Sequence, residues 1–194
     1  MTKERLLKLI ATNGYNIGFG AKKNFASHDI IVKLPSWISF ITLAIGIIQL
    51  GYASLGNNKE LSTTLILVSI ASMYIGFYNS SIEKFQKEGD RLIILFNKLR
   101  NLYYTVESQN KNDFSTEENE MNNIMTEFYS NNIAKQVYLS QWFAHFKFFY
   151  ETQIDWIDKE LNFKFYKDKV PNSFKSTIII VIILTITLLI YERF

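Results

Sequence analysis

Leu34-Pro35-Ser36-Trp37-Ile38-Ser39-Phe40-Ile41-Thr42-Leu43-Ala44-Ile45-Gly46-Ile47-Ile48-Gln49-Leu50-Gly51-Tyr52-Ala53 contains no Lys, Arg, Asp, Glu or His, and neither does the run from Leu61 to Tyr78. Each run holds roughly 18–20 residues. At a rise of about 1.5 Å per residue, each helix spans close to the ~30 Å hydrocarbon core of a bilayer. Only Ser54 to Glu60 separates them, so the two spans must lie antiparallel as a hairpin. A buried pair of soluble helices is the competing reading, but uncharged runs of this length are the signature of membrane spans.

The rest of the chain is far more polar. Of 194 residues, 20% are charged, and outside the apolar runs the density is that of a cytosolic helical protein. The net charge of +3 is too small to argue for nucleic-acid binding. The sequence has no Cys, which removes disulfides and thiolate metal sites from consideration. Lys3, Glu4, Arg5 and Lys8 interrupt the first ten residues, so no cleavable signal peptide is expected.

Working outward from the hairpin, residues 1–33 read as N-terminal cytosolic or interfacial helices. Leu6, Leu7, Leu9 and Ile10 begin an amphipathic helix, Gly14, Gly18 and Gly20 are expected to loosen it, and Ala21 to Lys33 should lie on the membrane surface or a cytosolic partner. Pro35 suits the first turn of the first span, where its missing N–H is no loss. Trp37 fits an aromatic belt. Six Lys and Arg lie in residues 1–33 and Lys84, Lys87 and Arg91 follow the second arm, against Lys59 alone in the loop. The positive-inside rule therefore puts both feet of the hairpin in the cytoplasm and its tip outside.

Beyond the hairpin (34–78), residues 79–173 read as cytosolic helices. Ile82, Phe85, Leu92, Leu95, Phe96, Leu99, Leu102, Tyr103 and Val106 recur at helical steps, so the second span should continue into the cytosol with a bend near Gly89. Ser115 with Glu118 reads as a capping box opening a helix that carries Met121, Ile124, Met125 and Phe128 and is broken at Asn131-Asn132. From Ile133 to Tyr166, Tyr138, Trp142, Phe146, Phe149 and Trp156 are expected on one face. That stripe is either a helix-bundle core or an interface with a partner or sister subunit. Pro171 ends the region. Residues 174–194 contain Ser176 to Tyr191, a β-branched apolar run flanked by Lys175 and Glu192-Arg193. It reads as a third span that leaves the C-terminus outside, with a re-entrant segment as the alternative. The fold class is thus an all-α membrane protein forming a single domain over 1–194: an N-terminal transmembrane hairpin, a cytosolic helical bundle and a third C-terminal transmembrane helix.

Catalytic groups do not converge in this sequence. His28 and His145 lie in no metal-ligand spacing, and no phosphate-binding loop or nucleophile elbow is present. No enzyme activity and no cofactor are expected. The polar residues of the hairpin are not scattered, however. Ser39, Thr42, Gly46 and Gln49 step along one face of the first arm, and Ser69, Ser72, Gly76 and Asn79 along one face of the second. Such stripes allow close helix packing, as in Ser72-x-x-x-Gly76. Alternatively they line a water-filled path, which Gln49 and Asn79 favour because a bare amide in lipid is costly. A single hairpin cannot enclose a pore, so the second reading requires a homo-oligomer.

This layout resembles the SLATT superfamily of bacterial two-transmembrane effectors. The resemblance rests on Tyr15-Asn16 through Gly20-Ala21-Lys22-Lys23-Asn24-Phe25, the hairpin from Pro35, Trp156-Ile157 and Asp168-Lys169-Val170-Pro171, which look like the variant found beside reverse transcriptases. The additional C-terminal apolar segment departs from the two-span plan. The resemblance implies a multi-pass protein of the bacterial inner membrane that forms a pore or disrupts the bilayer when triggered, arresting or killing the cell in antiphage defence. It implies as partner a defence-system sensor, either a reverse transcriptase or a nucleotidyltransferase-derived signal. A non-pore scaffold that anchors a cytosolic partner is the alternative.

Overall fold

The computed structural model describes residues 1–131 and 136–191. Asn132, the start of the aromatic stretch at Ile133 and the Glu192-Arg193 flank lie outside the described residues. Every described element is helical.

Helix α1 runs unbroken from Lys3 to Gly51, a rod of about 74 Å at the standard rise. The glycines do not loosen it, because they serve close packing instead. Gly14 lies against the indole of Trp156, and Gly18 against Phe96 and Phe148. Tertiary contact there outweighs the low helix propensity of glycine. Nor does Pro35 open a helix; it sits inside α1. Lacking an N–H, it leaves the Ile31 carbonyl without its usual helical donor. The chemistry of α1 changes at the same place. Leu6, Ile10, Ile17, Ala21, Ile30 and Ile31 are buried, whereas most large apolar side chains from Val32 onward are exposed and none is buried.

The tip of the hairpin is a short helix, α2 (Ala53–Gly56). Helix α3 (Lys59–Gly76) then returns, its start capped by Asn58, whose side chain accepts from Leu61 N at 2.9 Å. A 3₁₀ turn at Asn79–Ser81 joins it to α4 (Ile82–Ser108). The rod does continue beyond the apolar arm, but its irregularity is at this turn and not at Gly89. Gly89 is buried inside α4 with the Phe25 ring against it, so a Cβ there would stand 2.7 Å from Cε1.

Helix α5 (Ser115–Tyr129) starts where the sequence suggests, but with a different cap. Asp113, not Ser115, does the work: its carboxylate accepts from Ser115 N and from Ser115 Oγ, each at 3.0 Å. Helices α6 (Ser140–Glu151) and α7 (Asp155–Leu161) follow. Asn162 ends α7 at φ 52°, a left-handed conformation that Asn tolerates. A π turn at Phe165–Lys169 leads to α8 (Asn172–Tyr191).

The core lies where the first half of α1 packs on α4, α5, α6 and α7. Leu6, Ile10, Leu95, Leu99, Phe148 and Ile157 are in its buried centre. A second cluster sits at the end from which the hairpin leaves. There Ile30 and Ile31 meet Phe85 and Val137, with Ile75, Tyr78 and Ile82 packed against them. Two helical rods, Lys3–Gly51 and Lys59–Ser108, are long and apolar enough to cross a membrane. Helix α8 is held at its start by Trp142, whose Nε1 donates to Ser173 Oγ at 2.9 Å and whose ring meets Phe174 edge-on. Farther along, Ile180 and Leu184 are exposed.

Candidate functional site

The two arms of the hairpin pack on each other, and most residues of the polar stripes are half-buried. Thr42, Gly46 and Gln49 of α1 are half-buried, as are Ser62, Ser69, Ser72 and Gly76 of α3. Ser39 and Asn79 are exposed, outside the seam. Gln49 is its one long polar group, and both donors of its amide are used. Nε2 donates to the Leu55 carbonyl at 3.1 Å and to Ser62 Oγ at 3.2 Å. Ser69 Oγ donates to its own helix, at the Leu65 carbonyl, 2.8 Å away. These bonds satisfy polar groups that apolar surroundings would otherwise penalise. The seam is not tightly closed: nothing lies within 4 Å of a Cβ placed on Gly46, and only the Asn79 amide, at 3.9 Å, approaches one on Gly76. Closest packing is instead at the tip, where a Cβ on Gly56 would stand 2.8 Å from the Gln49 carbonyl oxygen.

The outer faces of both arms are large and apolar. Leu50 is 90% exposed, Met73 75% and Phe77 79%. A continuous apolar surface on this scale is untenable in water and marks a surface meant for lipid or protein.

The predicted aromatic face does not exist as one face. Phe149 and Trp156 are buried in the core, in contact with Tyr15 and Tyr103 respectively. Trp142 is half-buried and holds the start of α8. Tyr138 and Phe146 point outward, with Phe143 and Tyr150 beside them. Within α6 the buried face is set by Ser140, Ala144 and Phe148, which takes in Phe149 and leaves Phe146 outside, and the break at Thr152–Ile154 puts Trp156 on a separate helix. Phe148, which the sequence reading passed over, is fully buried against Tyr15 and Phe19.

Charges gather where α1 passes from core to exposed surface. Asp29 pairs with Lys33 at 2.7 Å and with Lys147 of α6. Burial works to raise its carboxyl, but the two lysine hydrogen bonds prevail and hold it below the usual carboxylate range. Lys22 is lowered by burial and then by Lys147 nearby. His145 packs edge-on to Phe19 at 4.8 Å between centroids. Burial, then Lys175, lowers its pKa.

On the other side of the same end, Arg91 forks onto the buried carboxylate of Glu88 at 2.9 and 2.6 Å and donates to the carbonyls of Glu127 and Asn131. These bonds tie the end of α5 to α4. Sequence reasoning passed over both clusters. Asp29 and Lys147 are far apart in the chain and form no motif. Glu88 did carry a signal: it falls on the buried face between Phe85 and Leu92, with an arginine three residues on.

A family model described as SMODS and SLOG-associating 2TM effector domain 6 matches residues 1–178. Comparison with curated proteins and with solved structures found no match.

Proposed function

The chain belongs to the SMODS and SLOG-associating 2TM effector domain 6 family, and we propose that it acts as an oligomeric effector that breaches the inner membrane when triggered in antiphage defence. The family makes it a membrane effector of defence systems. The observation that carries the finer reading is the hairpin itself. Its outer faces are apolar and exposed, while most of its hydroxyl, glycine and amide residues are half-buried, with open space at Gly46. In the resting arrangement Gln49 closes on Ser62. On triggering, the arms separate and the stripes of sister copies face a common water path, through which small ions leak.

In this reading residues 1–33 and 79–173 are cytoplasmic and the hairpin tip is outside, following the distribution of Lys and Arg. Helix α8 is a third span. Ser173 and Phe174 lie at Trp142, and Thr177 lines a cavity with Tyr138 and Leu139. Helix α8 thus advances toward the end of the bundle from which the hairpin leaves, which supports its entering the same bilayer and putting the C-terminus outside. The protein acts without catalysis or cofactor. Its partners are sister copies and a sensor that is a reverse transcriptase or a nucleotidyltransferase-derived signal.

The test is expression with the trigger, followed by dye uptake and membrane potential. Depolarisation is the expected result, and flat traces would sink the pore reading. The second reading is a non-pore scaffold. It is favoured by the outward-facing Tyr138 and Phe146, which are free to meet a partner. Tyr138→Ala with Phe146→Ala, both at exposed positions, then abolishes partner pull-down, while hairpin substitutions are silent.

A further inference from the structure

We propose that the cavity between α1 and α6 at the foot of the hairpin binds the phosphate headgroup of an anionic phospholipid, with an acyl chain along Leu34, Trp37 and Phe40. The inference rests on the reading that α1 enters a bilayer at about residue 34. The cavity, of about 330 Å³, is lined by Asp29, Lys33 and Lys147 together with Leu34, Trp37 and Phe143. A second hollow of about 440 Å³ continues past Lys33 and Trp37 to Phe40. Polar and apolar walls therefore run in sequence from the bundle onto the first arm of the hairpin, as the headgroup and chain of one lipid do.

The charges suit a phosphodiester. Lys33 and Lys147 share the single carboxylate of Asp29, so the three groups together carry one positive charge. Lys22 adds a second near Lys147 and Glu151 opposes it. His28 lies 3.9 Å from Asp29. The Lys33 side chain is 65% exposed, on a stem long enough to reach a headgroup from the apolar edge. The apolar walls decide between sources. A soluble phosphate gains nothing from Leu34, Trp37 and Phe143, whereas aromatic residues at this depth belong with lipid headgroups.

The test uses the full chain in detergent, with phosphatidylglycerol and phosphatidylcholine added in equal amounts and retention read by native mass spectrometry. One phosphatidylglycerol is retained in preference, and Lys33→Gln lowers that retention about fivefold, the worth of one lysine at a membrane surface. Lys59→Gln, at the other end of the hairpin, leaves it unchanged. Equal loss in both variants would mean general surface charge and overturn the proposal. Displacement of the lipid by millimolar inorganic phosphate would assign the site to a free anion and overturn it as well. Insertion of the same protein into phosphatidylcholine vesicles, read by resistance to alkaline carbonate, separates the two levels. Failure to insert removes the membrane reading itself, while insertion without lipid preference removes this inference alone.

Discussion

Gly18 of α1 and the ring of Phe96 in α4 are in direct contact: a methyl group at residue 18 would stand 2.7 Å from Cδ2 of that ring and 2.9 Å from Cε2 of Phe148. Both rings are buried in the core and cannot swing into solvent. Two glycines of one helix, only two residues apart, thus give opposite expectations for the same change. Gly18→Ala overpacks the core and costs about 1–3 kcal/mol, less the ~1 kcal/mol that alanine gains in a helix. At Gly20 the nearest atom to an added methyl is Leu92 Cδ1 at 3.4 Å, an ordinary contact. Gly20→Ala therefore stabilises by up to about 1 kcal/mol. Thermal unfolding of the two variants in one detergent checks the difference in sign.

Gly18 also shows what the sequence could not disclose. Two apolar arms and an all-helical chain are legible from charge-free runs and helical steps. The continuity of α1 is not, because Gly14, Gly18 and Pro35 each argue locally for a break; contacts with Trp156, Phe96 and Phe148 reverse that argument at the two glycines, and α1 carries Pro35 inside it. The pairing of Trp156 with Gly14 joins α7 to α1, and nothing local signals it. The aromatic stripe fails because ring spacing alone does not say which face of α6 is buried: Ala144 and Phe148 set that face and leave Phe146 outside, and the helix ends before Trp156. In the hairpin the stripes could be found from the sequence. That Ser39 and Asn79 stay exposed while the other stripe residues are half-buried needed the packing of α1 against α3.

Asp29→Asn removes the charge that Lys147 and Lys33 share and turns one of the two accepting oxygens into an NH2 that faces a lysine, and should cost about 1.5–3 kcal/mol at neutral pH. The pH dependence follows from the lowered pKa of Asp29. The unfolded chain takes up this proton more readily than the folded one. The contribution is therefore complete above the unfolded value, about 4, and is lost as pH falls through the folded value. The gap in Tm between wild type and Asp29→Asn should be widest at pH 6–7 and shrink as the pH drops below about 4. A gap independent of pH would mean that the ion pairs do not stabilise the fold.

His145 titrates in the other familiar range. Its pKa is lowered by burial and by Lys175, so the folded protein holds it neutral where the unfolded chain would already be charged. Stability from this residue is present above about 6.5 and declines as pH falls from there toward the folded value. Proton NMR of the ring should give a midpoint for His145 below 6.5. His145→Phe should flatten the dependence of Tm on pH between about 6.5 and 5. A midpoint at or above 6.5 would contradict the packing of His145 on Phe19.

Ser69 and Ser72 separate the two readings of the hairpin. Both are half-buried on the face of α3 that meets α1, and Ser69 Oγ is satisfied within its own helix. Leucine at either position keeps α3 apolar and long enough to insert, so membrane integration should be unchanged. The added side chain must be accommodated on the half-buried face of α3. If the stripes line a water path on opening, Ser69→Leu and Ser72→Leu make it apolar and narrower, and triggered depolarisation should fall. If the seam only packs two helices, the same variants should leave depolarisation untouched.

Gln49→Leu acts at the closed end of that seam. It removes the donations to the Leu55 carbonyl and Ser62 Oγ, interactions worth about 0.6 kcal/mol each on average within membranes. The closed hairpin is weakened while the apolar length of the first arm grows. In the pore reading, triggering then needs less energy, so Gln49→Leu should be the more toxic variant without trigger, the reverse of Ser72→Leu. Growth of cells expressing each variant alone, alongside membrane potential, reads the two directions. Reduced toxicity for Gln49→Leu would show that this amide serves the open path and not the lock.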